Sequence, residues 1–272
     1  MHPILFKVGS FTLYTYGAMV ALGLIAGYYL DLAGAKYRGF SREFIGKIIV
    51  GAIISGIIGA RLFYVIIAPG PVNIFKIWEG GLVFSGGLVG GALWMIYAAL
   101  RYRVSIWSLG DVLAPGLLLG QGIGRIGCFS AGCCYGKVTE SAIGVVFSDP
   151  HSLAYPLGVP LIPTQLISSL YSVLAACVLF LCLKSEKSAT EGSARGATEG
   201  SARGEVSGVF SLFLVLYGSF RIAIEYLRGD FRGPEFAGWT STQWIAAAAV
   251  ILGGCMLITR RKSKKSSESR KR

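Results

Sequence analysis

The stretch VLAPGLLLGQGIGRIGCFSAGCCYGK, residues 112–137, joins an uncharged apolar run to a short segment dense in glycine and cysteine. Residues 112–123 carry no charged side chain, so Arg125 lies at or near the end of a hydrophobic segment. A guanidinium there is costly unless an anion or a hydrated cavity meets it. We therefore expect this stretch to form a site rather than a spacer.

The chain as a whole is strongly apolar. Of its 272 residues, 53% are hydrophobic and 15% are charged, whereas a soluble domain is about 25% charged. This composition excludes a soluble globular enzyme and indicates an integral membrane protein. The net charge of +12 does not indicate nucleic acid, because eight of the 26 Lys and Arg lie in residues 260–272 and the others cluster in short loops.

Seven apolar segments are each long enough to cross about 30 Å of hydrocarbon. They are Phe11–Asp31, Phe44–Ile67, Leu82–Leu100, Val112–Phe129, Thr164–Leu183, Val206–Tyr226 and Ser241–Thr259. Lys and Arg concentrate after the first, third and fifth segments and in the C-terminal tail. The positive-inside rule then places the N-terminus outside and the C-terminus in the cytoplasm. The expected fold class is an all-α integral membrane protein of about seven transmembrane helices.

We expect one membrane domain, residues 1–260, followed by a basic cytoplasmic tail, residues 261–272, that lies against anionic lipid headgroups. A tandem copy of Ala-Thr-Glu-Gly-Ser-Ala-Arg-Gly at residues 189–204 predicts a flexible low-complexity cytoplasmic linker at 185–205. Within the apolar segments, small residues recur at every fourth position, as in Gly116, Gly120 and Gly124. This spacing predicts close packing between helices.

The predicted topology gathers polar side chains in the outer half of the membrane: Tyr14, Tyr16, Arg61, Ser85, Arg125, Arg221 and Glu225. Arg221, Glu225 and Arg228 share one helix face, so Glu225 can pair with either arginine. Glu225 cannot neutralise every arginine in this group. A guanidinium group that is shielded from water and has no carboxylate partner needs an anion nearby, and its planar fork suits phosphate. The residues alone thus predict a site for an anionic phospholipid headgroup.

Several interpretations are open for Cys128, Cys133 and Cys134. Their C-x4-C-C spacing does not match the usual zinc pairs and no histidine adjoins, so we expect no metal site. A disulfide fits an end that faces an oxidising compartment. Plain packing, or a nucleophilic cysteine whose pKa Arg125 lowers, are the other interpretations.

The opening stretch resembles the signature of the bacterial prolipoprotein diacylglyceryl transferases, roughly Gly-Arg-x-Gly-Asn-Phe-x-Asn-x-Glu-x-x-Gly. The matching residues are Gly124, Arg125, Gly127, Phe129 and Gly136. Further blocks resemble the family in the same order: Tyr16-Gly17, Gly59-Ala60-Arg61, Phe84-Ser85-Gly86-Gly87, Pro163-Thr164-Gln165-Leu166, and Tyr217-Gly218 with Arg221, Glu225 and Arg228. The chain departs from the family pattern at Ser85, which stands where histidine is frequent, and at Cys128 and Cys133, which stand at the asparagine and the glutamate.

The resemblance implies transfer of the diacylglyceryl group of phosphatidylglycerol to the lipobox cysteine of a preprolipoprotein signal peptide, with release of glycerol 1-phosphate. It also implies a multi-pass protein of the bacterial inner membrane with its site toward the outer half. We expect membrane lipids as neighbours and no cofactor. The candidate catalytic residues are Arg125, Arg221, Glu225, Ser85 and Tyr16. The candidate substrate-binding residues are Arg125, Arg221, Arg61, Arg228, Gly136 and Cys128.

In the reaction that the resemblance implies, we expect Arg125 and Arg221 to hold the phosphate and stabilise the leaving group, and Glu225 to orient Arg221 and the headgroup. We expect Tyr16 to hydrogen-bond the glycerol or phosphate oxygens and Ser85 to relay a proton through water. Two alternatives are a family member that binds anionic lipid or lipoprotein but has lost catalysis, and an anion transporter.

Overall fold

The computed structural model describes residues 3–8, 11–68, 81, 83–193, 208–230 and 236–271. Within them lie seven α-helices: α1 Thr15–Ala35, α2 Arg42–Ile67, α3 Phe84–Tyr102, α4 Ile106–Ala131, α5 Thr164–Ser193, α6 Val209–Glu225 and α7 Ser241–Lys271. Each predicted apolar segment overlaps one of these helices, so the number of helices predicted from hydropathy is confirmed for the described residues.

The all-α prediction was wrong about two short sheets. β1 (Ile4–Val8) pairs antiparallel with β2 (Phe11–Tyr14), and β3 (Val145–Val146) pairs antiparallel with β4 (Pro160–Leu161). The first predicted segment therefore begins as a strand, and α1 starts at Thr15 rather than Phe11. Phe11-Thr12-Leu13-Tyr14 is rich in aromatic and β-branched residues, which favour a strand when a partner strand is present.

Five helical stretches are long and apolar enough to cross a membrane: Thr15–Arg38, Arg42–Ile67, Ile106–Ala131, Thr164–Glu186 and Ser241–Lys262. The other two helices are shorter, with 19 residues in α3 and 17 in α6. Large apolar side chains such as Ile66, Leu100 and Ile251 are well exposed on the bundle surface. That surface suits lipid rather than water, and the protein is a membrane protein.

Helix α4 is central to the bundle and packs against α1 on one side and α5 on another, while α2 pairs with α3 and α6 with α7. The α1–α4 contact depends on glycine. A Cβ added at Gly23 would lie 2.6 Å from the Gly120 carbonyl oxygen, and one at Gly27 would lie 2.6 Å from the Gly116 oxygen. The expected packing role of Gly116 and Gly120 is confirmed. A Cβ at Gly124, in contrast, would face open space.

A buried carboxylate also links α1 to α4. Asp31 accepts a hydrogen bond of 2.8 Å from the Gly116 backbone N–H. Pro115 stands inside α4 just before Gly116, and a proline in a helix supplies no N–H and disturbs the hydrogen bonding around it. The Asp31 side chain thus satisfies a backbone donor next to the proline.

An ion-pair network closes the end of the bundle where α1 finishes. Arg38 contacts Asp111 at 2.5 Å and also pairs with Glu186, which in turn pairs with Arg260 at 2.6 Å. Asp111 also accepts a 2.8 Å hydrogen bond from the Arg38 Nε and one of 2.7 Å from the Phe210 N–H in the first turn of α6. The predicted start of the fourth segment was six residues late, because Asp111 is paired inside α4 instead of ending it.

Two parts of the predicted domain organisation lie at the limits of the structure. Residues 194–205 of the predicted linker lie outside the described residues, whereas α5 continues through Ser193. Helix α7 continues through Lys271, into the residues predicted as a separate basic tail.

Candidate active site

Five helix ends meet at the end of the bundle opposite the ion-pair network. They are the first turns of α1, α5 and α7 and the last turns of α4 and α6. The signature stretch supplies the link between them, because residues 135–137 run between the start of α5 and the end of α6. Gly136 donates to the Ile162 carbonyl at 2.9 Å, and Lys137 donates to the Leu227 carbonyl at 2.9 Å.

Two signature glycines allow these close approaches. A Cβ at Gly136 would lie 2.6 Å from the Ile162 oxygen, and one at Gly127 would lie 3.1 Å from the Tyr16 Cα. Gly136, which the sequence named as a substrate-binding residue, is thus placed where three chain segments pack together. Gly127 brings the first turn of α1, with the exposed Tyr16 side chain, against the end of α4.

Glu225 has contacts with both α6 and the start of α7. One of its carboxylate oxygens lies 2.5 Å from the Arg221 guanidinium, one helical turn earlier in α6. Its other oxygen accepts hydrogen bonds of 3.0 Å from the hydroxyls of Thr240 and Thr242 at the start of α7. Both members of the ion pair are buried, so the pair fixes the direction in which Arg221 points.

Arg228 pairs with a different acid. Its guanidinium donates two hydrogen bonds of 2.8 Å to the two oxygens of Asp230, and only 7% of Arg228 is exposed. Of the two partners open to Glu225 in the sequence, the structure selects Arg221. The planar fork of Arg228 is engaged by Asp230 in the bidentate geometry that is strongest for arginine.

Arg125 joins this group from the end of α4. Its guanidinium lies close enough to Cys134, Cys128 and Tyr217 to interact with them electrostatically. Arg221 in turn interacts with Arg125, Arg228 and Tyr217, and Tyr16 interacts with Arg125 and the three cysteines. We call this group the arginine cluster: Arg125, Arg221 and Arg228 with Glu225 and Asp230.

Charge in the arginine cluster does not balance. Three guanidiniums face two carboxylates, so among these residues one positive charge is left over for an anion. Buried positive charge without a counter-charge is costly, and guanidinium forks match phosphate oxygens well. The anion site predicted from the sequence stays a prediction, and the arginine cluster is where the structure would allow it.

The cluster includes neither Arg61 nor Ser85 among its described contacts. Arg61 is buried on α2, where it donates to the Gly81 carbonyl at 3.3 Å and lies 5.4 Å from the Tyr64 ring centroid. Ser85 is exposed on the first turn of α3. Both residues belong to the α2–α3 pair, and their predicted roles stay predictions.

The three cysteines of the signature come together at the end of α4. Their sulfur atoms all lie within 4.8 Å of one another, and they are thiols rather than members of a disulfide. Side-chain hydrogen bonds from Cys128 and Cys133 hold the pKa of the Cys134 thiol well below its ordinary value, and the Arg228 and Arg125 guanidiniums lower it further. The same thiol–thiol hydrogen bonds raise the pKa of Cys133.

Some residues of this region were not predicted as site residues. Thr164 and Gln165 begin α5 and donate to the carbonyls of Cys134 and Cys133, at 2.7 and 2.8 Å. Their only sequence signal was the Pro-Thr-Gln-Leu block. Asp230 had no such signal. Thr240 and Thr242 gave none either, since they reach Glu225 only after α7 folds back on α6.

Comparison with known proteins finds relatives that match almost the whole chain. A family model described as prolipoprotein diacylglyceryl transferase matches residues 3–259. A phosphatidylglycerol–prolipoprotein diacylglyceryl transferase 2 of Clostridium perfringens is 33% identical over 274 residues, covering 99% of each chain. Similar proteins with the same activity in their names occur in Clostridium tetani, at 35% identity over 93% of this chain and 95% of the relative, and in Geobacter sulfurreducens, at 33% over 96% of both.

Proposed function

Because the chain belongs to the prolipoprotein diacylglyceryl transferase family, we propose that the diacylglyceryl group is transferred at its arginine cluster. The chain is a transferase that moves this group from phosphatidylglycerol to a prolipoprotein. The observation that carries the site assignment is the surplus guanidinium of the cluster. This positive charge lies at one end of the helical bundle, where it would neutralise the negative charge of a lipid phosphate.

The reaction exchanges one bond for another. The cysteine sulfur of the prolipoprotein attacks the glycerol carbon that bears the phosphate ester, and a carbon–sulfur bond forms. The carbon–oxygen bond breaks, and its electron pair leaves with glycerol 1-phosphate, while the thiol proton goes to solvent or to the leaving phosphate. Since the nucleophile belongs to the substrate, the enzyme must position two substrates and stabilise the departing charge.

Arg125 and Arg221 stabilise that charge. Both can donate two parallel hydrogen bonds to phosphate oxygens, and they need no reorganisation when negative charge builds on the ester oxygen. Glu225 acts as a positioning residue, since it holds Arg221 in place through a contact of 2.5 Å. Tyr16, beside Arg125, would donate to the glycerol or phosphate oxygens.

We also propose the orientation of the chain in the membrane. The arginine cluster lies toward the outer half of the bacterial inner membrane, and the end with Arg38 and Arg260 faces the cytoplasm. The basic loops and the basic residues after Thr259 support this orientation through the positive-inside rule. A lipobox cysteine at a signal peptide's end would then reach the cluster from the outer face.

Replacement of Arg125 by alanine tests the site. Wild-type protein and Arg125→Ala are purified in phosphatidylglycerol-containing nanodiscs and incubated with a lipobox peptide, and mass spectrometry measures the diacylglyceryl adduct. Loss of one preorganised charge-stabilising donor typically costs about 10²–10³-fold in rate, and we expect at least that loss. Arg101→Ala is the control, because Arg101 is an exposed arginine at the far end of α3.

The outcomes separate the alternatives. Full activity of Arg125→Ala would remove Arg125 from the mechanism. A wild-type protein that binds phosphatidylglycerol but forms no adduct would instead be a family member that has lost catalysis.

A further inference from the structure

We propose that Cys128, Cys133 and Cys134 bind one Zn²⁺ ion, and that this zinc holds the substrate cysteine as a thiolate for alkylation. The proposal rests on the proposed function, because it supplies the thiol activation that arginines cannot provide. Guanidinium stays protonated and cannot accept a proton. The chain has only two histidines, His2 and His151, and His151 is exposed in a loop beside Asp149.

The sulfur geometry is close to that of a zinc site. Zinc–thiolate bonds are about 2.3 Å long, so thiolates on neighbouring corners of a tetrahedron lie about 3.8 Å apart. The three sulfur atoms already lie within 4.8 Å of one another. A movement of about 1 Å or less, within the reach of cysteine rotamers, brings all three onto one metal ion.

The chain builds this arrangement with its backbone rather than by chance contact. At the end of α4, Cys133 donates to the Cys128 carbonyl at 3.1 Å and Gly132, with φ at 75°, donates to the Phe129 carbonyl at 3.2 Å. These are the two hydrogen bonds of a Schellman motif, which brings together the side chains at the Cys128 and Cys133 positions. An apolar pair is usual there, and this chain has two thiols.

Cys134 completes the set through an unfavourable backbone conformation. Its φ is 62°, a left-handed value that side chains other than glycine rarely adopt without a structural or functional reason. The buried side chains of Thr164 and Gln165 hold the carbonyls of Cys134 and Cys133 in place. Helices α4 and α5 therefore hold the three thiols at this turn in a fixed arrangement, as a preformed metal site requires.

The surroundings can accommodate the charge of the loaded site. Three thiolates and one Zn²⁺ carry a net charge of −1. The Arg125 and Arg228 guanidiniums both lie close enough to Cys134 to interact with it electrostatically. These two nearby guanidiniums therefore lower the cost of the negative charge on the zinc–thiolate group.

Three protein ligands leave one tetrahedral position open, which is the arrangement of catalytic rather than structural zinc. A substrate thiol that enters this position loses its proton to solvent, because a thiol coordinated to zinc is deprotonated. The bound thiolate then forms the carbon–sulfur bond as the ester carbon–oxygen bond breaks. Zinc keeps its charge throughout, and the thioether product, a weaker ligand, leaves the metal.

Zinc content tests the site directly. Full-length protein is purified in detergent under a non-thiol reductant with equimolar Zn²⁺, desalted and analysed by mass spectrometry for metal. We expect about one zinc per wild-type or Cys177→Ser chain and almost none for Cys134→Ser. Cys177 is the matched control, because it is an exposed cysteine on α5. Equal zinc in the two variants would overturn the proposal.

Cobalt substitution of the wild-type protein provides a measurement that needs no variant. Co²⁺ at this site should give thiolate-to-cobalt charge-transfer absorption, and a lipobox peptide should change the ligand-field bands as its thiol binds. A peptide with serine in place of cysteine should leave them unchanged. Absence of the charge-transfer band, or an equal response to both peptides, contradicts the assigned chemistry.

A transfer assay separates this proposal from the proposed function. Removal of zinc by a chelator should slow adduct formation by about 10²–10⁴-fold, the usual contribution of a proton-handling group, and added Zn²⁺ should restore it. Full activity of the zinc-free enzyme overturns the zinc proposal and leaves the transferase intact. Stoichiometric zinc in a protein that forms no adduct would overturn both the thiol activation and the proposed site of transfer.

Discussion

At the residue scale, Glu225 connects the arginine cluster, the proposed phosphate-binding side of the site, to the start of α7. It contacts Arg221 with one oxygen and two threonine hydroxyls with the other. Such a carboxylate does more than balance charge. It also fixes the direction in which the Arg221 guanidinium points.

Glu225→Gln should lower both stability and activity. Breaking a buried ion pair from one side typically costs about 3–5 kcal/mol, while the threonine hydrogen bonds to the remaining oxygen can persist. We expect a lower melting temperature in detergent and a slower transfer rate. The matched control is Glu43→Gln, which removes a second i,i+4 pair, Glu43 with Lys47, on a solvent-exposed turn. An equal shift in melting temperature for both variants would show that the Glu225 pair adds nothing.

The site was partly predictable at this scale. The i,i+4 spacing of Arg221 and Glu225 predicts their pair, because neighbouring turns of one helix bring such residues together. The partner of Arg228 depends on the turn that follows α6, and no helical spacing indicates Asp230. The cysteine spacing argued against a metal site, whereas a helix end with two left-handed residues brings the three sulfurs together.

At the element scale, the pairing of α1 with α4 depends on glycines that allow the two backbones to touch. Hydropathy predicted both helices, and the spacing of small residues predicted close packing. Hydropathy did not predict β2, since Phe11–Tyr14 is as apolar as the helix that follows. A strand there depends on the partner strand β1, which adds a tertiary condition to the local sequence.

Gly23→Ala should destabilise the α1–α4 pair. The added Cβ would lie 2.6 Å from the Gly120 carbonyl oxygen, and such overpacking against backbone typically costs about 1–3 kcal/mol. Gly17→Ala is the control in the same helix, since a Cβ at Gly17 has no neighbour within 4 Å among the described atoms. Thermal unfolding followed by size-exclusion chromatography compares the two. Equal melting temperatures would contradict the close packing of α1 on α4.

At the scale of the whole molecule, charge is divided between the two ends of the bundle. The arginine cluster is at one end, and the network of Arg38, Asp111, Glu186 and Arg260 is at the other. The second network has two guanidiniums and two carboxylates, so it balances its own charge. Sequence reasoning treated Asp111 as a segment end, because its partners come from helices far away in the chain.

The proposed orientation can be tested with reporter fusions. Green fluorescent protein fused after Arg272 should fluoresce, because it folds in the cytoplasm, whereas alkaline phosphatase at the same point should be inactive. A phosphatase fusion truncated after Val138, past α4, should be active. The reverse pattern would place the arginine cluster on the cytoplasmic side and exclude delivery of the lipobox cysteine from outside.

The hydrogen bond between Asp31 and the Gly116 N–H has a consequence for how the enzyme responds to its membrane. A slide of α1 along α4 by one turn, about 5.4 Å, would leave that carboxylate without its donor and separate the facing glycines. A thicker or thinner bilayer is therefore met by tilting the two helices together. We therefore expect the first turn of α1, with Tyr16, to keep its place against the end of α4, with Arg125, when the lipid chains lengthen or shorten.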